Sequence, residues 1–381
     1  MTNFPFTKSE VITNLSNFSQ NELQNYASNR NFDYGSPHHN VSKISPYLRR
    51  RFISEEEILE IVLKYHEINE IEKFIEEIFW RTYWRGWLES HPWIYDQYKM
   101  YDEDQFIPTK TGIKCFEHWK EELLDTGYLH NHSRMWFASI WIFTLGYSWQ
   151  SGANFFKNNL LDYCPASNTL GWRWVAGLQT IGKPYIARAD NIKFFTNDRF
   201  YPQNELKENY ILNNQNFTNG KPKDFIKSDE KKLIKYENLG IILNNNDLSL
   251  HQLLKEKEMV FECCLLYKEH KNILINNFQK KICEDVKNND PNVVSVNNFQ
   301  DIYKWLKDKN IKNLILPYET VGNKVFYENE FLKNITNLEV KYTFYLREWD
   351  GNAFQHATKG FFNFKKNIST LLNQANIKNR I

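Results

Sequence analysis

Over residues 54–90 apolar side chains recur at three- and four-residue spacing with no proline between them, and Ser54 followed by Glu55, Glu56 and Glu57 marks a helix start. Pro92 ends that run. The same period predicts helices over about 111–125, 131–149 and 172–182, whereas two-residue alternation is scarce before residue 235. Residues 192–236 are polar and rich in Asn, Gly, Pro and Lys, as in NNQNFTNGKPKDF, which predicts a linker over about 203–235. Beyond it LGIIL, NVVSV, NLILPY and EVKYTFYL read as short buried strands alternating with helical stretches such as FQDIYKWLKDKN. The expected fold is mainly α: a helical domain over 1–235, then a smaller α/β domain over 236–381 of unassigned role.

A length of 381 residues suits about two domains, and 41% hydrophobic residues exclude a disordered chain. With 48 Lys+Arg against 46 Asp+Glu, overall basicity gives no argument for a nucleic-acid partner, so any phosphate contact has to be local. The first twenty residues carry no charged-then-apolar leader, and the expected location is cytoplasmic. Five cysteines (Cys115, Cys164, Cys263, Cys264, Cys283) show neither CxxC nor metal-ligand spacing and read as free thiols. Residues 135–149 lack charge but are shorter than the roughly 20 residues a bilayer span needs, so they read as a core helix.

Aromatic residues make up 16% of the chain, and ten of its twelve Trp lie between Trp80 and Trp174. That crowding suits either a large helical core or a flat conjugated ligand and electron transfer. Glu77, Trp80, Arg81 and Trp84 share one helix stripe at i, i+3, i+4 and i+7, which fits an intrahelical ion pair or a pocket wall. Asn131, Arg134, Met135 and Ala138 repeat the spacing beside the apolar WFASIWIF. Asn131 there suits its own helix cap, and Arg134 calls for an acidic or phosphate partner. In LLDYCPASNTLGWRW, Asp162, Asn168, Trp172 and Trp174 surround a loop entering a helix. Trp172 and Trp174, about 200° apart on it, face different environments. No GxGxxG, GxxxxGK[ST], HExxH or GxSxG occurs, and the ten His show no metal spacing; His130 and His132 read as structural.

Four blocks, in order, resemble the FAD-binding helical domain of the photolyase/cryptochrome family: VSKISPYL, EEIFWRTYW, TGYLHNHSRMWFAS and LLDYCPASNTLGWRWVAG. The likeness spans about residues 26–202. It implies FAD as cofactor, with Tyr26, the stretch Val41, Ser42, Lys43, Ile44, Ser45 and Leu48, and Arg81 around its phosphates and ribityl. Asn131, Arg134, Asp162, Cys164 and Asn168 lie along the cofactor in this likeness, Asn168 facing the flavin N5. It further implies that Glu77, Trp80, Met135 and Trp174 hold a damaged pyrimidine, while Trp172 and Trp149 carry electrons inward, with Trp93, Tyr95 or Tyr98 as the outermost member.

The implied activity is that of a deoxyribodipyrimidine photo-lyase, in which light drives electron transfer from reduced FAD to a cyclobutane dimer. UV-damaged DNA is the implied partner, with single strands preferred, and Arg49, Arg50, Arg51, Arg173 and Lys183 are candidate backbone contacts. A cryptochrome-type photoreceptor without repair activity is the alternative. No metal and no membrane partner are expected, and a monomer is. The family's N-terminal antenna domain has no counterpart before residue 26, which predicts a short photolyase-like protein. Cys164 replaces a family Asp and Val41 a family Thr. The C-terminal α/β region, with REWDGNAFQHATKGFFNFKKNI, resembles the tail of other short photolyase-like chains, as a relocated antenna-like domain or a brace.

Overall fold

The computed structural model describes residues 4–99, 107–208, 220–223, 225, 237–323 and 329–377. Most of the expected linker therefore lies outside the described residues. The helical unit comprises α1 (Lys8–Asn21), α2 (Tyr26–Asn29), α3 (Ser45–Leu48), α4 (Glu55–Val62), α5 (Glu72–Ser90), α6 (Trp93–Lys99), α7 (Lys114–Thr126), α8 (Asn131–Ser139), α9 (Trp149–Asn159), α10 (Pro165–Val175) and α11 (Ala189–Phe195). Capping boxes start α1 and α4: Thr7 and Ser54 each accept from the third helical amide, and Glu10 and Glu57 reach back. Gly127, at φ 70, stops α7 in the left-handed conformation only glycine adopts cheaply.

Two expected helices are broken. The run over 54–90 divides into α4 and α5, because His66 bonds the Ser19 carbonyl and Glu70 caps the Glu67 amide, which together hold a turn between them. The run over 131–149 divides into α8, a wider π turn (Ile140–Thr144) and a fresh start at α9 where the Ser148 hydroxyl accepts from Ser151. α10 begins at Pro165, earlier than the periodicity suggested, since proline is well placed in a first turn.

After residue 237 follow β1 (Leu239–Asn244), α12 (Leu250–Glu256), β2 (Glu262–Leu266), α13 (Ile273–Asn289), β3 (Val293–Val296), α14 (Phe299–Asp308), β4 (Asn313–Pro317), α15 (Asn329–Asn337), β5 (Lys341–Tyr345), α16 (Glu348–Phe354), α17 (Phe361–Lys365) and α18 (Ile368–Gln374). The five strands are all parallel in the order β3-β2-β1-β4-β5. Four were legible in the sequence. β2, ECCLL, was not, because it shows no alternation and carries none of the β-branched or aromatic residues that mark the other four.

The two-residue strand period decides how the units join. Leu239, Ile241 and Leu243 of β1, with Leu265 and Ile315, pack into one core with α1, α4 and α5. Ile242, Leu266, Leu314 and Leu316 point the other way, into a second core under α14 and α15. One hydrophobic core therefore runs across from the helices into the sheet. α16 lies so close to α5 that a Cβ on Gly86 would meet Phe354 at 2.8 Å and Ala357 at 2.9 Å. At that seam Trp349 stacks on Phe79 at 4.8 Å and donates to Thr82 Oγ1. Asp350 takes both terminal nitrogens of Arg85 and one of Arg51, while Arg347 holds Asp247 bidentately.

Candidate flavin site

α10 packs against both α5 and α8, bringing the three helices that carry the sequence candidates together. On α5 the buried residues include Ile78, Phe79, Thr82, Tyr83 and Arg85. The stripe Glu77, Trp80, Arg81 and Trp84 is half-buried, as its spacing foretold. No ion pair forms within the stripe. Arg81 donates to Glu55 Oε1 at 3.1 Å and to the Arg49 carbonyl, and Glu77 meets Arg30 at 3.5 Å. Burial raises the Glu77 carboxyl above its usual range, with Arg30 opposing. Trp80 lies flat on Phe361, 3.6 Å between ring centroids and 11° between planes. Phe361 gave no sequence signal, since it stands 281 positions further along the chain, on α17.

α8 carries Asn131, Arg134 and Met135. Its cap is the His130 ring, which accepts from the His132 amide; Asn131 is the first helical residue and is exposed, so the expected self-cap is replaced. Arg134 finds the acidic partner its sequence context required. Both its terminal nitrogens bind the Asp162 carboxylate, at 2.9 and 3.0 Å, and Ser45 Oγ donates to the same group at 2.6 Å. The guanidinium sits 5.3 Å from the Tyr128 ring centroid. Behind α8 the fully buried Asp33 accepts from Ser133, Trp119 and Arg199, tying the helix start to the loop after α2. Sequence reasoning missed Asp33, which falls in no motif, and gave no role to Tyr128, although it stands in the block TGYLHNHSRMWFAS.

Residues 41–44 line a cavity of about 380 Å³ beside α1. Lys43 has a φ of 50, and the amides of Ser42 and Lys43 donate to no protein group among the described residues. Such a turn presents successive N–H groups to an anion. Leu48 is buried in the core, and Tyr26 packs edge-on against Phe74 at 5.4 Å.

On α10, Asn168 is buried and donates through Nδ2 to the Ala153 carbonyl. Trp172 and Trp174 do face different surroundings: Trp172 is buried against Phe156 and Trp141, and Trp174 is half-buried against Tyr185. The Trp172 ring lies directly on α9, where a Cβ on Gly152 would come within 2.2 Å of it. Trp149 begins that helix and stacks on Tyr98 at 5.6 Å, with Tyr95 edge-on beyond. Trp93 packs elsewhere, against His91. Arg50 and Arg51 are buried and held by internal partners, and Arg173 is buried over the Trp149 ring, so none of the three is a surface charge, contrary to expectation; Lys183 is exposed.

These groups fit FAD. Free amides beside Ser42 suit a diphosphate, and the Arg134–Asp162–Ser45 cluster and the Asn168 amide supply polar groups for a ribityl chain and ring edges. Residues 72–232 match the family model described as the FAD binding domain of DNA photolyase. The chain is 30% identical over 193 residues to a deoxyribodipyrimidine photo-lyase of Alkalihalophilus pseudofirmus, covering 46% of this chain and 39% of that protein. It is 26% identical over 200 residues to the Escherichia coli photo-lyase, covering 48% and 42%. To cryptochrome DASH of Danio rerio it is 28% identical over 153 residues, covering 36% and 29%. A solved bacterial class III photolyase from Agrobacterium tumefaciens aligns with a TM-score of 0.38 and 24% identity, over 52% of this chain and 44% of that one. The chain spans about two fifths of the length of the first two photo-lyases.

The helical unit thus contains, over residues 72–232, a stretch similar to the FAD binding domain of DNA photolyase, and its cofactor is FAD; the chain is similar to photo-lyases and to a cryptochrome DASH over less than half its length. Among the described residues no group of three or more His, Cys, Asp or Glu could hold a metal ion, and no helix is long and apolar enough to cross a membrane.

Proposed function

We propose that the protein is a light-dependent DNA repair enzyme acting on cyclobutane pyrimidine dimers, with single-stranded DNA its better substrate. One observation supports this most. Of the residues that the resemblance gives to the lesion, Glu77, Trp80, Met135 and Trp174 are all half-buried on three helices, α5, α8 and α10, the last packed against the other two, whereas Trp172 and Trp149, given to electron transfer, are buried. Bound and reduced, FAD supplies a light-driven electron to the dimer and takes it back.

The chain's own groups supply the rest. Trp80, backed on one ring face by Phe361, offers its other face to a base, and Trp174 offers a second stacking surface. Glu77, its carboxyl raised by burial, hydrogen-bonds a pyrimidine edge, and Met135 provides apolar contact. Asn168 holds the N5 edge of the cofactor, and Arg134 with Asp162 fixes its polar side. Flipping a base from duplex costs a few kcal/mol, which a formal charge of +2 and few free surface arginines do little to offset, hence the single-strand preference. The protein acts as a monomer in this reading.

The test is lesion loss from a thymine-dimer oligonucleotide, single- and double-stranded, incubated with reduced holoprotein under blue light and in the dark across a salt series. Light-dependent loss, faster on single strands, is expected. No loss from protein carrying fully reduced FAD overturns the reading and favours a photoreceptor, a reading that the similarity to cryptochrome DASH also supports. In a photoreceptor, Glu77→Ala leaves flavin photoreduction unchanged.

A further inference from the structure

Aromatic rings lie open to solvent beside α11, away from the flavin site. Phe194 is 63% exposed, Tyr34 46% and Tyr201 42%. The loop after α2 carries Phe32 and Tyr34, which stack at 5.5 Å with 6° between their planes. α11 sets Phe194 and Phe195 against Phe32, at 5.4 and 5.1 Å. The patch is built rigidly. Asp33, between the two stacked rings in the chain, donates its amide to the Phe195 carbonyl at 2.8 Å, and its buried carboxylate accepts from Gly35, Ser133 and Trp119. Gly35 stands at φ 86, where a Cβ would also meet the Arg199 guanidinium at 2.8 Å. Rings fixed in this way lose little freedom on binding.

Two lines of contact join the patch to the residues proposed to hold the lesion. Phe195 faces the His132 ring at 4.9 Å, His132 Nε2 lies 3.3 Å from the Tyr185 hydroxyl, and Tyr185 stacks on Trp174 at 5.5 Å. On the other side Arg30, two positions before Phe32, reaches Glu77 at 3.5 Å. Cations border the rings. Lys193 sits 4.8 Å from the Tyr201 ring centroid. Asp198 answers Lys193 at 3.7 Å, and Asp190 takes the Tyr201 hydroxyl. Arg188, at the start of α11, is exposed and has no side-chain hydrogen bond or ion pair among the described residues.

We propose that this patch is a stacking platform for the single strand on one side of the lesion, with Tyr34 and Phe194 taking bases and Arg188 a phosphate. The lesion's place beside it rests on the repair reading; binding of undamaged strands does not. Tyr34 is covered on one face by Phe32 and offers the other, and every base has a flat face to lay on such a ring. An unpaired guanidinium beside the rings suits the strand's phosphates. A protein partner fits less well. Three rings of about 150–250 Å² each, already partly covered, offer less than the roughly 800 Å² per side of a stable protein interface.

The test is fluorescence anisotropy of FAD-loaded protein with labelled strands in which a thymine dimer is extended on its 5′ side, on its 3′ side or on neither, beside undamaged oligo-dT of the same lengths. Extension on one side should raise affinity more than on the other. Phe194→Ala and Tyr34→Ala should each weaken binding of that extended strand about tenfold and leave the unextended one unchanged, while Phe194→Tyr, which keeps a ring, stays near the unmodified protein. Arg188→Gln should flatten the dependence of log affinity on log salt by about 0.7. Equal affinity of Phe194→Ala and the unmodified protein for every strand overturns the inference, as does an equal loss on extended and unextended strands. Should Tyr34→Ala not fold, Phe194→Ala decides, since its ring is mostly in solvent. A dimer of the unmodified protein that Phe194→Ala makes monomeric gives this face to a second copy and also overturns the inference. Weakened binding of undamaged oligo-dT by Phe194→Ala keeps the platform even where no lesion is lost. Light-driven lesion loss with strand binding unchanged in Phe194→Ala keeps the repair reading and ends this one.

Discussion

α5 has two faces of opposite character. One carries Phe79, Thr82, Arg85 and Gly86 into the seam with α16, where Trp349 stacks and Asp350 answers two arginines. The other carries Glu77, Trp80, Arg81 and Trp84, half-buried, with a long contact from Glu77 to Arg30 and Trp80 covered on one face by Phe361. The first face is fully partnered and holds the molecule together. The second leaves polar edges and indole surface without full protein partners, which is what a ligand-binding wall requires.

The largest effect should come from Asp350→Ala, which strands Arg51 and Arg85 in the interior. Urea unfolding should report a loss of about 3–5 kcal/mol, the cost of breaking one side of a buried ion pair. A loss under about 1 kcal/mol, the scale of an exposed pair, would show that the seam carries little of the fold.

Acid comes next. Burial pushes the His130 imidazole down to about 3 and His251 down to about 4, so both stay neutral in the folded state. The unfolded chain takes up these protons first. Stability should therefore begin to fall as pH drops below about 6.5, by up to about 1.4 kcal/mol per pH unit for each group, and level off below the folded values. Denaturation midpoints at pH 7.5, 6 and 5 check this; a flat profile contradicts it.

Gly152→Ala should cost about 1–3 kcal/mol by forcing the Trp172 ring off α9, and near-UV circular dichroism should change with it. The smallest stability effect belongs to the open face. Glu77→Ala removes only a 3.5 Å pair with Arg30, worth about 0–1 kcal/mol, yet under the repair reading it should slow lesion loss tenfold or more. A large stability loss from Glu77→Ala would erase the contrast between the faces.

Much of the helical unit was legible because its chemistry is local. The stripe on α5, the need of Arg134 for an acid, and the opposed settings of Trp172 and Trp174 all follow from 3.6 residues per turn. What escaped depends on contacts between distant segments. Phe361 on Trp80, Asp33 behind α8 and the Asn246 and Asn323 grip on Arg49 join residues far apart in the chain, where periodicity is silent. Arg50 and Arg51 were misjudged as surface charges for the same reason, since their partners Leu161 and Asp350 come from remote elements.

The sequence by itself determined the helical and strand periods, the family blocks and the cofactor they imply, because amphipathic spacing and short motifs are written in neighbouring residues. The tertiary structure alone decided which charges are buried and which face of α5 remains open. Burial and charge pairing are properties of three-dimensional neighbours, and those neighbours here lie up to 299 positions apart.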